Sequence, residues 1–351
     1  MLAHDFTQTF RGTVFVSACE PSADTYAALF INQLKTRQPA LKIVGIGGPE
    51  MKAAGVELLD DFRGLMTFGL SAAAENARSD WSIYRMIARA LYKTRPDVFM
   101  PVAYPGINLL LCRYARSLGI RTIYLLPPQI WAWGNFRKYF IKKWVDQVIS
   151  FFPFEYEYYK RLRIPAIYFE NPLKNGLKSY RRTDFKKRVG FMPGSRPQEI
   201  KRNFPVILNL IAKLKDKKNV LQFSIILREK SDLPQTLHST VFKVFNDRYQ
   251  AMKNCDLIVT CSGTASLETA FLNIPQVFFN RPSWIDYNIM RRLVTIKEYN
   301  LTNLYLQRKT VPSFIDRDLN KLCRAIQEEI YKTLNYSVDK SDPPDKLKIE
   351  C

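Results

Sequence analysis

The stretch Leu257-Ile258-Val259-Thr260-Cys261-Ser262-Gly263-Thr264-Ala265-Ser266-Leu267-Glu268 decides the fold. A short apolar run reads as a buried strand and passes through a Ser-Gly-Thr turn into a helical pattern. Strand, small-residue turn and helix make the repeating unit of parallel α/β proteins. The turn also suits a phosphate, because the first N–H groups of a helix lack intrahelical partners and lie at its positive end. Ser262, Gly263 and Thr264 are therefore the candidate cradle. Glu268, one turn further on, is a candidate acceptor for ribose hydroxyls.

A second turn of this kind lies upstream at Met192-Pro193-Gly194-Ser195-Arg196. Gly194 and Ser195 form the bend, and the Arg196 guanidinium is suited to bidentate phosphate binding. Two anion-cradling turns in the same half of the chain point to a diphosphate ligand.

The strand–helix alternation continues outward in both directions. In the first half, residues 13–18, 42–46, 98–102, 122–126 and 144–150 read as strands, with helices near 25–34 and 109–117. In the second half, 189–192, 221–227, 257–261 and 276–279 read as strands, and a last helix is expected over 319–334. The basic, apolar-poor stretch 172–188 reads as a linker, and the polar tail from Ser337 as disordered. The expectation is an α/β chain of two Rossmann-like domains, residues 1–175 and 176–318, followed by a helix and tail over 319–351. Two such domains face a cleft, where ligand binding is expected.

The chain has 351 residues, 47% of them apolar, so each half can bury a core. No apolar run approaches the roughly 20 residues of a membrane span. Val14-Phe15-Val16 is too short for a signal-peptide core of about 7–15 residues, which places the chain in the cytosol. The six cysteines include no C-x-x-C pair, and the two histidines are His4 and His238. A zinc site or disulfide framework is not expected.

The net charge of +21 favours anionic partners. Between positions 137 and 188 there are fourteen Lys/Arg against five Asp/Glu, interleaved with aromatics such as Phe136, Tyr139, Phe140 and Trp144. Basic plus aromatic surface suits an anionic membrane interface. It also suits RNA, or the aromatics belong to the core beneath a solvated basic face.

Other motifs carry two readings each. In Cys19-Glu20-Pro21-Ser22-Ala23-Asp24, the acids serve a sugar or catalysis, or Asp24 caps a helix. Asp316-Arg317-Asp318 is a metal-holding D-x-D or a cap. Trp131-Ala132-Trp133 lines an acyl or sugar site, or simply packs. Gly45-Ile46-Gly47-Gly48 lacks the G-x-G-x-x-G spacing, so a dinucleotide cofactor is not expected.

Taken together, the pieces resemble the lipid-A-disaccharide synthase family, inverting glycosyltransferases of the GT-B type. The resemblance spans roughly residues 12–315. It rests on Ala18-Cys19-Glu20-Pro21-Ser22-Ala23-Asp24, on Gly47-Gly48-Pro49-Glu50-Met51 with Gly55, and on Pro96-Asp97-Val98. Trp131-Ala132-Trp133, Phe152-Pro153-Phe154-Glu155, Met192 to Arg196 with Glu199, Ser262 to Ala265 with Leu267-Glu268, and Asn303-Leu304 complete it. The resemblance implies transfer of a diacylated glucosamine from UDP to the 6-hydroxyl of an acylated glucosamine 1-phosphate. It implies work at the inner face of the inner membrane, peripherally held on anionic lipid. Arg196, Ser195, Gly194, Ser262, Gly263, Thr264, Glu268 and Asn303 would bind the donor. Ser22, Trp131 and Trp133 would bind the acceptor. No metal or other cofactor and no nucleic acid is implied, and a homodimer is left open.

The acceptor half departs from the family pattern. The family's favoured base, an aspartate after the Asp-Val-Phe strand, is Ala103 here, and Gly106 replaces a second aspartate. A methyl group takes no proton. Three readings stay open: an active enzyme whose base is Glu20 or Asp24, a transferase with another acceptor, or a non-catalytic homologue that binds a UDP-sugar.

Overall fold

The computed structural model describes residues 10–61, 72–132, 134–177, 187–194, 197–214, 221–227, 248–282 and 300–339. Trp133, Ser195 and Arg196 lie outside the described residues. The chain divides into two compact units, Met1–Leu173 and Lys174–Cys351.

The first unit runs β1 (Thr13–Ala18), α1 (Pro21–Arg37), β2 (Lys42–Gly47), α2 (Pro49–Ala53), β3 (Glu57–Asp61), α3 (Ala72–Thr94), β4 (Val98–Val102) and α4 (Pro105–Ser117). It continues with β5 (Arg121–Leu125), α5 (Arg137–Trp144), β6 (Gln147–Ser150), α6 (Pro153–Arg161) and β7 (Ala166–Tyr168). The seven described strands are all parallel, in the order β3-β2-β1-β4-β5-β6-β7. Strands such as TVFVSA and VFMPV are mostly apolar and almost wholly buried because a parallel sheet is covered on both faces. Gly45 is required on β2: a Cβ there would stand 2.1 Å from the Val16 carbonyl oxygen on β1.

Asp24 caps a helix, though not its own. The residue before α1 is Glu20, and Pro21 opens that helix. The buried Asp24 carboxylate reaches the start of α2 instead. Its Oδ1 accepts from the N–H groups of Gly48 (2.8 Å) and Met51 (3.1 Å), and its Oδ2 from that of Glu50 (3.1 Å). One side chain thus ties the turn after β1 to the turn after β2.

Trp144, expected in a strand, closes α5. It stacks on Phe140, four residues back, with ring centroids 4.8 Å apart, a helical and not a strand spacing. The expected linker opens with a helix, α7 (Pro172–Gly176), and its last residue, Arg188, already belongs to the next strand.

The second unit contains β8 (Arg188–Met192), α8 (Pro197–Leu214), β9 (Gln222–Ile225), α9 (Arg248–Lys253), β10 (Leu257–Thr260) and α10 (Gly263–Phe271). After them come β11 (Gln276–Asn280), α11 (Leu301–Leu306), β12 (Ser313–Ile315) and α12 (Leu319–Asp339). Its described strands are parallel in the order β12-β11-β10-β8-β9. Asp318 caps α12, its Oδ1 accepting from the Lys321 N–H at 2.9 Å, while Asp316 pairs with Lys321. The D-x-D run is therefore a cap. The helix α12 buries Leu322, Cys323, Ile326, Ile330 and Leu334 in one core with Phe204, Ile207 and Leu210 of α8.

Ile326→Ala should lower the unfolding free energy by about 2–5 kcal/mol through cavity formation. Urea denaturation reads this. A loss below about 0.5 kcal/mol, the ordinary surface value, would show that the helix is not part of this core.

Candidate functional site

In each unit, the turns that carry the motifs leave the carboxyl ends of strands at a topological switch point, where open α/β sheets bind ligands. In the second unit that point lies between β8 and β10. Cys261 N–H donates to the Met192 carbonyl at 3.3 Å, joining the two turns. Asn203 of α8 braces both: its Nδ2 donates to the Pro193 carbonyl (3.0 Å) and to Cys261 Sγ (3.0 Å). Burial pushes the Cys261 thiol well above its ordinary value, so it stays protonated.

Gly194 has φ +125°, and a Cβ there would lie 2.9 Å from Glu199 Oε2. The position therefore needs glycine for both its backbone and its space. Ser262 precedes α10 with extended backbone, and its side chain makes no capping bond. Ser262, Gly263 and Thr264 are half-buried, and the N–H groups that open a helix are the ones an anion cradle uses.

Two of the expected donor residues are engaged elsewhere. Glu268 is buried on α10, ion-paired with Arg248, and accepts from Tyr249 Oη at 3.2 Å. Sequence reading missed Arg248 because it lies on a different helix. Asn303 is buried too. Its Oδ1 accepts from the N–H groups of Thr310 (2.9 Å) and Val311 (2.8 Å), and its Nδ2 donates to the Val311 carbonyl (2.9 Å). Asn303 therefore holds a loop, its amide oxygen taken up by backbone donors.

In the first unit the switch point lies between β1 and β4. The turn after β1 carries Glu20, whose Oε1 accepts from Ser22 Oγ at 3.0 Å. Asp24 sits deeper, its carboxylate taken by three backbone donors, which makes it a brace and not a base.

After β4, Ala103 and Tyr104 have φ +50° and +47°, in the left-handed region. The Ala103 carbonyl accepts from Tyr124 Oη (2.6 Å) and Asn108 Nδ2 (2.7 Å), which fixes this bend. Tyr104 Oη donates to Asp80 Oδ1 of α3 at 2.6 Å. Burial first, then the Asp80 hydrogen bond, holds the Tyr104 phenol well above its ordinary value. The Cys19 thiol is pushed up to about 12 by burial, with Glu20 and Asp80 contributing. Both groups keep their protons at neutral pH.

Trp131 packs edge-on against Phe154, centroids 4.8 Å apart, and its Nε1 donates to Glu155 Oε1 at 3.0 Å. Glu155 is 1% exposed and also accepts from Ser150 Oγ at 2.5 Å. Burial raises its pKa from 4.5 to about 7, with the two hydrogen bonds opposing. Among the described residues, no three His, Cys, Asp or Glu side chains are grouped to hold a metal ion, and no helix is long and apolar enough to cross a membrane.

A family profile described as lipid-A-disaccharide synthetase matches residues 14–346. The lipid-A-disaccharide synthase of Geobacter sulfurreducens is 30% identical, the alignment covering 89% of this chain and 85% of that protein. That of Nitrosococcus oceani is 31% identical over 87% and 83%. Among solved structures, a putative UDP-N-acetylglucosamine 2-epimerase from Listeria monocytogenes matches with TM-score 0.60 at 11% identity, covering 95% and 91% of the two chains. The glycotransferase of kitacinnamycin matches with TM-score 0.55 at 13% identity over 96% and 93%. These likenesses and the two Rossmann-like units define the class: a GT-B fold. The profile and the relatives then narrow it, and the chain belongs to the lipid-A-disaccharide synthase family, whose members are glycosyltransferases.

Glu155→Gln should flatten part of the pH dependence of stability. Between pH 4.5 and about 7 the unfolded chain has lost this proton while the folded chain keeps it. The folded state binds more protons, so its stability falls as pH rises through that window, by up to about 1.4 kcal/mol per pH unit. Unfolding free energies at pH 4.5, 5.5 and 7 should therefore drop in wild type relative to the variant. A constant difference would refute the shift.

Proposed function

We propose that this chain is a lipid A disaccharide synthase, transferring a 2,3-diacylglucosamine from UDP to the 6-hydroxyl of a 2,3-diacylglucosamine 1-phosphate with inversion. Family membership over nearly the whole chain carries the reading. The uncapped start of α10 beside the glycine turn after β8 supports a diphosphate in the second unit. Gly194, Ser262, Gly263 and Thr264 would offer backbone donors there, and Ser195 and Arg196 complete the motif by sequence. Such donors neutralise charge that develops on UDP as it leaves, which is where they lower the barrier.

The acceptor is a lipid, so the enzyme would work as a peripheral protein at the inner face of the inner membrane. Phe136, Tyr139 and Phe140 are exposed beside Arg137, Lys138, Lys142 and Lys143 on and before α5, which supports contact with anionic lipid. The second reading is a homologue that binds a UDP-sugar without transferring it, favoured by Ala103.

Turnover of UDP-diacylglucosamine with the acylated glucosamine phosphate decides between them; a wild type that binds UDP but makes no disaccharide leaves only the second. In calorimetry, Arg196→Ala should weaken UDP binding roughly ten- to a hundredfold, the loss of a charge-assisted contact of about 1.5–3 kcal/mol. Equal affinity in both proteins would remove Arg196 from the site.

For the surface, Lys142→Glu with Lys143→Glu should reduce sedimentation with anionic vesicles, and salt should weaken wild-type binding. Vesicle binding insensitive to both would move the contact elsewhere.

A further inference from the structure

We propose that Asp80 is the general base that replaces the carboxylate missing at Ala103; this rests on the transferase reading above. Three elements converge at the β1/β4 switch point: the turn after β1 with Cys19 and Glu20, the turn after β4 with Tyr104, and α3 with Asp80. The Tyr104 phenol reaches α3 and donates to Asp80 Oδ1 at 2.6 Å. The Asp80 charge also acts on the buried Cys19 thiol of the turn after β1, so Asp80 lies near both turns.

The other groups in this cluster are excluded one by one. Ala103 has no proton acceptor on its side chain. Cys19 and Tyr104 hold their protons, as described above. Asp24 accepts three backbone N–H groups at a buried position. Glu20 turns its Oε1 to Ser22. Asp80 is set apart by its donor, the residue that directly follows Ala103. Among the described residues Tyr104 is its one hydrogen-bond partner and no cation pairs with it. It is half-buried, and among the described residues no hydrogen bond engages its Oδ2.

The single donor fixes the carboxylate's orientation through one oxygen and leaves the other for a substrate hydroxyl. Tyr104 is thus a positioning residue. It follows Ala103 directly, and the left-handed backbone of the pair turns its side chain toward α3. A carboxylate removed from the end of β4 is supplied from the neighbouring helix.

The step balances simply. The acceptor oxygen bonds to the anomeric carbon while the bond from that carbon to the UDP oxygen breaks, its electron pair leaving on UDP. The hydroxyl proton passes to Asp80 Oδ2 and later to water.

The experiment uses the full chain. It measures turnover of UDP-diacylglucosamine with the acylated glucosamine phosphate, and UDP affinity by calorimetry. Asp80→Asn should lower kcat about 10²–10⁴-fold, the usual loss of a general base, with UDP affinity unchanged. Asp80→Glu should recover part of that rate. Tyr104→Phe should lower kcat less than Asp80→Asn and leave the acceptor KM unchanged, a split that loss of folding would not produce. An Asp80→Asn protein within about threefold of wild-type kcat overturns the assignment and leaves the transferase reading standing. So does a Glu20→Gln variant that loses what Asp80→Asn keeps. If Asp80→Asn fails to fold, Asp80→Glu at wild-type melting temperature carries the test: partial rate supports the base, and full wild-type rate in a Tyr104→Phe, Asp80→Ser double variant overturns it. A wild type without turnover overturns the Asp80 assignment together with the transferase reading.

Discussion

Parallel pairing is the constraint on which everything else in this chain depends. A strand that runs beside its neighbour in the same direction cannot be joined to it by a tight hairpin. The chain must cross over outside the sheet, and a helix makes the crossing. Every strand then leaves the sheet at the same edge. In the first unit that edge collects the turns after β1, β2 and β4. In the second it collects those after β8 and β10. The residues that matter chemically are near one another because the topology allows them nowhere else.

Polar contacts hold these turns. Asp24 accepts three N–H groups from the start of α2, Asn203 ties Pro193 to Cys261, and Asn303 holds the loop to Val311. The Ala103 bend is fixed by Tyr124 and Asn108. In each case a buried side chain satisfies backbone groups that helices and strands leave over at their ends. Within the second unit, the Asn203 brace fixes the turns after β8 and β10 beside the start of α10, the preorganisation that anion binding uses.

Much of the fold was legible in the sequence, for a physical reason. Two-sided burial writes each parallel strand as an apolar run, and β1, β4 and β10 fell where such runs fell. Trp144 misled because an aromatic next to Val145 reads the same in a helix end as in a strand. The site was less legible. Gly194 and Ser262 stand where local turn chemistry put them, after β8 and before α10. Glu268 and Asn303 looked like ligand residues because their side chains are polar, but their partners, Arg248 and the loop at Thr310, are tertiary. Asp80 carried no local signal at all: its meaning comes from a tyrosine twenty-four residues away.

The helix Leu319–Asp339 has a bearing on how the protein is made. The last described strand of the second unit ends at Ile315, yet Leu210 and Ile207 still lack the helix that covers them. On the ribosome, residues emerge in order, at about 5–20 per second. The greasy face of α8 is therefore presented to the cell for seconds before its cover arrives. A chaperone that reads exposed apolar helices would find its window there.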